Sequence, residues 1–231
     1  MAVRTTRTAA RRPPPAAVRL SVPYYAQTSE FSCGPACVLM ALGHLDRRRA
    51  LTRRLEFEVW RQCNMIGVRG ADPLGLSVPL LEAGHDVLLV MERRRAFDTR
   101  KWMRTLVSHG FDPEDALVAR FGIEQNRQRA QARGLAFRRE RPTVRGIHDR
   151  MRDGWIAIAL VHMGLVHELD IPHWVAVTGT SATHVTFHDP YPPRGRKGLR
   201  ATRREFQRIL DDVQVFGMSP AVVFVRARRR G

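Results

Sequence analysis

Apolar positions recur along this chain with two periods, and the change from one to the other falls near residue 155. Ahead of that point the spacing is mostly helical. Gly34 to Leu45 is an apolar run of helix length, and Ala50 to Cys63 sets Leu51, Leu55, Val59 and Cys63 four residues apart, one stripe along one helix face. Further helices are predicted over Leu76 to Ala83, Thr99 to Ser108 and Pro113 to Ala132, the last opening with Pro-Glu-Asp after Asp112, a good N-cap sequence. The short apolar stretch His85 to Met91 predicts a strand, and Val144 to Arg152 a helix closed by Asp153-Gly154. Beyond residue 155 extended segments dominate: Trp155 to Val161, His173 to Thr178 and Val185 to His188. A short helix over Thr202 to Leu210 and a closing strand over Ala221 to Arg226 follow. The unbroken run WIAIALV fits a strand buried on both faces. No internal repeat is visible. The predicted class is α+β, with an N-terminal helical half packed on a mainly antiparallel sheet.

A length of 231 residues with 44% hydrophobic content is enough for one sizeable core. Residues 1 to 17 carry four arginines, no acid and Pro13-Pro14-Pro15, a composition that cannot bury its way to order, so a basic disordered arm is expected there. A single domain is expected over residues 18–231, with a solvated arginine-rich tail from Arg226 to Gly231. The arm lacks the apolar centre of a secretory signal, and no run approaches the roughly 18 apolar residues of a membrane span. The expected location is the cytoplasm, with no membrane partner.

The formal charge is +17, from 39 Lys and Arg against 22 Asp and Glu, and the cations are almost all arginine. Such a surface attracts polyanions without specificity and raises an acidic substrate or partner as one expectation. Dedicated nucleic-acid binding is not expected, because no binding motif is present and aromatic residues, 7% of the chain, are not interleaved with the arginines. Three cysteines, Cys33, Cys37 and Cys63, are too few and of the wrong parity for a disulfide framework, which favours a reducing compartment.

Cys33 stands before Gly34-Pro35 at the start of the first helix. Proline is favoured at the first helical position, and that placement would put the sulfur at the positive end of the helix dipole, where a thiolate is stabilised. Cys37, one turn further in, reads as packing, and Cys63 as core. A metal site built from the cysteines with His162, His167, His173, His184 and His188 is the weaker reading, since structural zinc sites show tighter cysteine pairs. No metal and no cofactor are expected. Among nine histidines, His173 has the best setting, opening the strand HWVAVTGT after Ile171-Pro172. Asp189 follows after a turn near Gly179 to Thr183 and a returning strand, so the hairpin brings its carboxylate back toward His173. There it can orient an imidazole; alone, Asp-Pro reads as a turn. Gln27, just ahead of the cysteine, has a side-chain amide suited to an oxyanion, beside the Cys33 main-chain N–H.

QTSEFSCGPACVLM taken with HWVAVTGTSATHVTFHDPY resembles the papain-like cysteine peptidases that remove double-glycine leader peptides from bacterial secreted peptides. The resemblance implies a papain-like fold and a site of Cys33 as nucleophile, His173 as its base, Asp189 completing the triad and Gln27 lining the oxyanion hole. RRLEFEVWRQCNMIGVRGADPLGLSVPLLEAGHDVLLV is similar to stand-alone, leader-peptidase-like bacterial proteins sometimes fused to, or encoded beside, acetyltransferases and ATP-grasp peptide ligases. The long stretch between Cys33 and His173 then reads as a helical insertion around residues 63–140, a lid or recognition subdomain.

The leading expectation is a thiol hydrolase that cleaves a peptide or related amide through a thioester. The same acyl-enzyme passed to an amine or thiol would make the protein a transferase. The alternative from another class is a non-catalytic module that binds peptides or nucleic acid.

Overall fold

The fold is described from a computed structural model over residues 16–92, 99–108, 110–167, 171–193 and 195–228. Most of the predicted arm, residues 1–15, and the last three residues of the tail therefore lie outside the described residues. The chain begins with a two-residue strand β1 (Val18–Arg19), then α1 (Cys33–Leu45), α2 (Arg53–Cys63), α3 (Pro73–Glu82), β2 (Asp86–Met91), α4 (Thr99–Ser108) and α5 (Pro113–Ala132). It continues with β3 (Ala136–Arg139), α6 (Val144–Arg152), β4 (Ile156–His162), α7 (Gly164–His167), β5 (Pro172–Thr180), β6 (His184–His188), β7 (Leu199–Thr202) and α8 (Arg203–Asp211). A 3-10 turn (Asp212–Phe216) and β8 (Ala221–Arg226) close it.

The strands form one sheet in the order β3-β2-β8-β4-β5-β6-β7. Every pairing is antiparallel except β2 with β3. β1 pairs the far end of β5, Val18 opposite Thr180 and Arg19 opposite Gly179, past the point where β4 ends.

The alternation within β4 explains its unbroken apolar sequence. Ile156, Ile158 and Leu160 enter the core shared with α1, α2 and α3, whereas Ala157, Ala159 and Val161 enter a second core with α6 and α8. Both faces of the central strands are thus covered. Sequence periodicity predicted one helical layer; the short helices α6 and α8, with Ile147, Met151, Phe206, Ile209 and Leu210 buried, supply another on the opposite face. α1 is buried without a break from Gly34 to Gly43, as a helix apolar on all sides must be.

Helix starts differ from expectation where a cap intervenes. α2 begins at Arg53, after Thr52 accepts the Leu55 N–H, so Leu51 lies ahead of the helix. The residues of α2 that are buried are Glu56, Val59 and Cys63. α3 begins at Pro73 instead of Leu76, because Asp72 accepts from the N–H groups of Leu74 and Gly75. Within the mainly helical stretch around residues 63–140, the strand expected over His85 to Met91 is β2, and β3 is a further strand that was not expected.

Candidate active site

Cys33 is the first residue of α1, so Pro35 stands third, still within the first turn, where a missing N–H costs no intrahelical bond. The preceding Ser32 makes no side-chain cap. Its hydroxyl is instead 2.5 Å from Glu56 Oε1. Gly34 lets the helix mouth approach the sheet: a Cβ there would stand 2.8 Å from Leu76 Cδ1 and 3.2 Å from Trp174 Cδ1. The Trp174 indole N–H donates to the Ala71 carbonyl at 3.0 Å, tying β5 to the segment before α3.

His173 is the second residue of β5, opposite Val161 of β4, and is buried. Asp189 directly follows β6 and is fully buried. The Asp-Pro turn and the site are one feature, since Asp189 Oδ1 accepts both the Tyr191 N–H at 3.0 Å and His173 Nε2 at 2.8 Å. With Nε2 committed to Asp189, Nδ1 of His173 is left for its hydrogen bond to Cys33.

The electrostatics follow this line. Burial opposes ionisation of Cys33, but the charge and hydrogen bond of His173, with the N–H groups of Trp174 and Gly34, bring its thiol below the ordinary value. Burial likewise works against a charged His173, yet Cys33 and Asp189 on its two sides raise it to about 9. Asp189 is held below the usual carboxylate range despite burial, by His173, the Tyr191 N–H and His167. The other two thiols behave oppositely: burial, then the nearby Cys33, pushes Cys37 well up, and burial with Asp72 pushes Cys63 up. Cys37 and Cys63 are both fully buried.

Gln27 is buried and linked to the acid end of the site through its main-chain N–H, which donates to Pro190 O at 2.9 Å. Its side-chain Nε2 donates to Ser29 O at 2.7 Å, and Oε1 is buried without a hydrogen-bond partner. The structure therefore joins Cys33, His173 and Asp189 in one line. Gln27 is tethered to Pro190, the residue after Asp189, with one amide N–H engaged by its own loop.

Two residues were missed by sequence reasoning. His167 Nε2 is hydrogen-bonded to Asp189 Oδ2. The sequence named it only among the five histidines of the weaker metal reading, and nothing there pointed to Asp189. Glu56, fully buried on α2, receives the Thr28 N–H at 2.9 Å, the Thr28 hydroxyl at 2.6 Å, the Tyr25 hydroxyl at 2.9 Å and the Ser32 hydroxyl. It fastens the loop between Gln27 and Cys33 to the helix behind it. An acid set between Leu55 and Phe57 in a predicted helix was its signal.

A cleft of about 240 Å³ opens beside the thiol. Cys33 and His173 stand in its wall with Val68, Trp102, Leu106 and Met218, and Glu30 and Arg69 are its charged lining residues. Among the described residues no group of three or more His, Cys, Asp or Glu side chains is arranged to hold a metal ion. No described helix is long and apolar enough to cross a membrane.

Helices packed on a mainly antiparallel sheet give the chain the α+β fold of C39-like peptidases. The chain belongs to the Peptidase C39-like family, whose model matches residues 22–214. A crystal structure from Bacillus anthracis, provisionally assigned as a C39-like peptidase, is similar over 93% of this chain and 100% of its own, with a TM-score of 0.50 at 11% identity. That likeness concerns the fold. No curated protein sequence matches.

Proposed function

We propose that this protein is a cysteine peptidase that cleaves a peptide or related amide. The observation that carries the reading is the hydrogen-bonded line from Asp189 through His173 to a thiol of lowered pKa in the wall of an apolar cleft. In the resting site Cys33 is thiolate and His173 imidazolium. The sulfur attacks the carbonyl carbon, and the oxyanion is held by the Cys33 main-chain N–H and the remaining N–H of the Gln27 amide. The tetrahedral adduct collapses as the C–N bond breaks, with His173 giving its proton to the leaving amine. Water then adds to the thioester, its proton passing to His173, and the acid leaves from Cys33. Asp189 keeps the imidazole oriented throughout.

The apolar wall favours a substrate with a bulky apolar side chain near the scissile bond. The net charge of +17 favours acidic residues further away. Within the family we place the chain with the stand-alone leader-peptidase-like proteins, on the segment RRLEFEVWRQCNMIGVRGADPLGLSVPLLEAGHDVLLV taken with the joint order of Gln27, Cys33, His173 and Asp189. Cys33→Ala tests the assignment directly. Turnover of peptide substrates should fall by ~10⁴-fold or more with the thermal unfolding midpoint retained; undiminished activity in the folded variant would exclude Cys33 as nucleophile.

A further inference from the structure

Asp189 is held from two sides by imidazoles of different elements. His173 of β5 donates to Oδ1, and His167 of the single turn α7 meets Oδ2. All three groups are buried, with His167 7% and His173 3% exposed and Asp189 fully enclosed. Because Asp189 is an ionised acceptor, each Nε2 must carry the proton and donate it. The Tyr191 ring packs edge-on against His173 and tilted against His167, filling the space around the carboxylate.

A carboxylate needs only one oxygen to orient one imidazole. With both oxygens bonded, it cannot turn about its Cβ–Cγ bond without leaving a buried donor unmatched, at about 1–3 kcal/mol for each. His167 is not among the residues lining the cleft, so it stands behind the acid and away from substrate. Among the described residues, Cys37 from α1, Tyr24 ahead of it and Tyr191 beyond the Asp-Pro turn are further titratable groups at Asp189. The Tyr24 hydroxyl donates to the main-chain carbonyl of Asp189 at 3.3 Å.

We propose that His167 is a positioning residue: its Nε2–H fixes the plane of the Asp189 carboxylate, so that Oδ1 meets His173 and the other ring nitrogen of His173 meets Cys33. This rests on the reading of Cys33 as the attacking thiol. Without His167 only Oδ1 stays anchored, by the Tyr191 N–H and His173; the carboxylate plane is then free to swing about that oxygen, His173 loses its fixed tilt, and the thiolate loses its partner.

The test is the pH profile of Cys33 alkylation by iodoacetamide in the wild type, His167→Gln and His167→Leu, with kcat and KM measured on one peptide. Gln can place an N–H at the reach of the imidazole Nε2 and should keep the wild-type midpoint. Leu should move that midpoint up by about one pH unit, slow alkylation near pH 6 by about tenfold, and lower kcat with KM unchanged. If Leu does not fold, Asn, polar but too short to reach Oδ2, is read in the same way. A folded variant lacking the donor with a wild-type midpoint, or a shift that Gln fails to prevent, would overturn the role of His167. A wild type with no depressed midpoint would instead overturn Cys33 as nucleophile, and the proposal with it.

Discussion

At the residue scale, the three cysteines show how position decides chemistry for one side chain. Cys33 has His173 and two main-chain N–H groups on its sulfur, whereas Cys37, one turn further in, has burial and the negative charges of Cys33 and Asp189 against its ionisation. Iodoacetamide at pH 6 to 7 should therefore label Cys33 alone, as mass spectrometry of tryptic peptides can show; equal slow labelling of all three would contradict the ion pair. The same pair sets a pH window for turnover. Activity should rise as Cys33 loses its proton below the usual thiol range, and fall as His173, the proton donor, deprotonates near pH 9. Asp189→Asn removes the charge that helps hold His173 protonated, so the alkaline limb should move to lower pH and kcat should drop by ~10²-fold or more, read from kcat/KM profiles. Cys33, His173 and Asp189 were legible in sequence because each stands at an element boundary with a distinctive neighbour: Cys-Gly-Pro, Pro-His and Asp-Pro. His167 was not, because its role depends on its ring meeting Asp189, which lies beyond two intervening strands in the chain, and nothing in Gly164–His167 announces that.

At the scale of elements, the site depends on a loop held from behind. Residues 27–33 have few apolar anchors, and Glu56 of α2 gathers the Thr28 N–H and three hydroxyls around one buried carboxylate. Glu56→Ala leaves these donors buried without an acceptor and should cost about 3 kcal/mol or more, a drop in the unfolding midpoint on the order of 10 °C by calorimetry. Glu56→Gln retains one accepting oxygen and should lose less. Activity in the Ala variant should fall further than stability alone explains, since the loop carries both Gln27 and the N-cap of α1. Element type was readable wherever apolar spacing ran for six residues or more. Boundaries moved where caps decided them: Thr52 delayed α2, and Asp72 advanced α3 over the Pro-Leu-Gly stretch ahead of the expected start at Leu76. β3 and β7, four residues each, are too short to show a period, and all four residues of β3 are exposed.

For the whole molecule, the last strand is the keystone of the sheet. β8 lies between β2, from the helical half, and β4, from the extended half, and Ala221 to Val225 are fully or almost fully buried. Deleting residues from Ala221 onward should abolish cooperative unfolding as followed by circular dichroism, because both neighbours lose their ladder partner and both cores lose a wall. Charge also acts at this scale. At low ionic strength kcat/KM for a peptide carrying acidic residues should exceed that for a matched neutral peptide several-fold, and the ratio should shrink as salt screens the arginines; equal rates would remove the acidic preference. The sequence by itself determined the α+β class, the periods of the main helices and strands, and the order in which a thiol, an imidazole and a carboxylate appear at element starts and ends. Those are local matters of side-chain spacing, turn chemistry and capping. Only the tertiary structure decided that β8 inserts between β2 and β4, that α6 and α8 cover the second face, and that Glu56 and His167 support the site. Each of those depends on contacts between residues far apart in the chain, which local patterning does not encode.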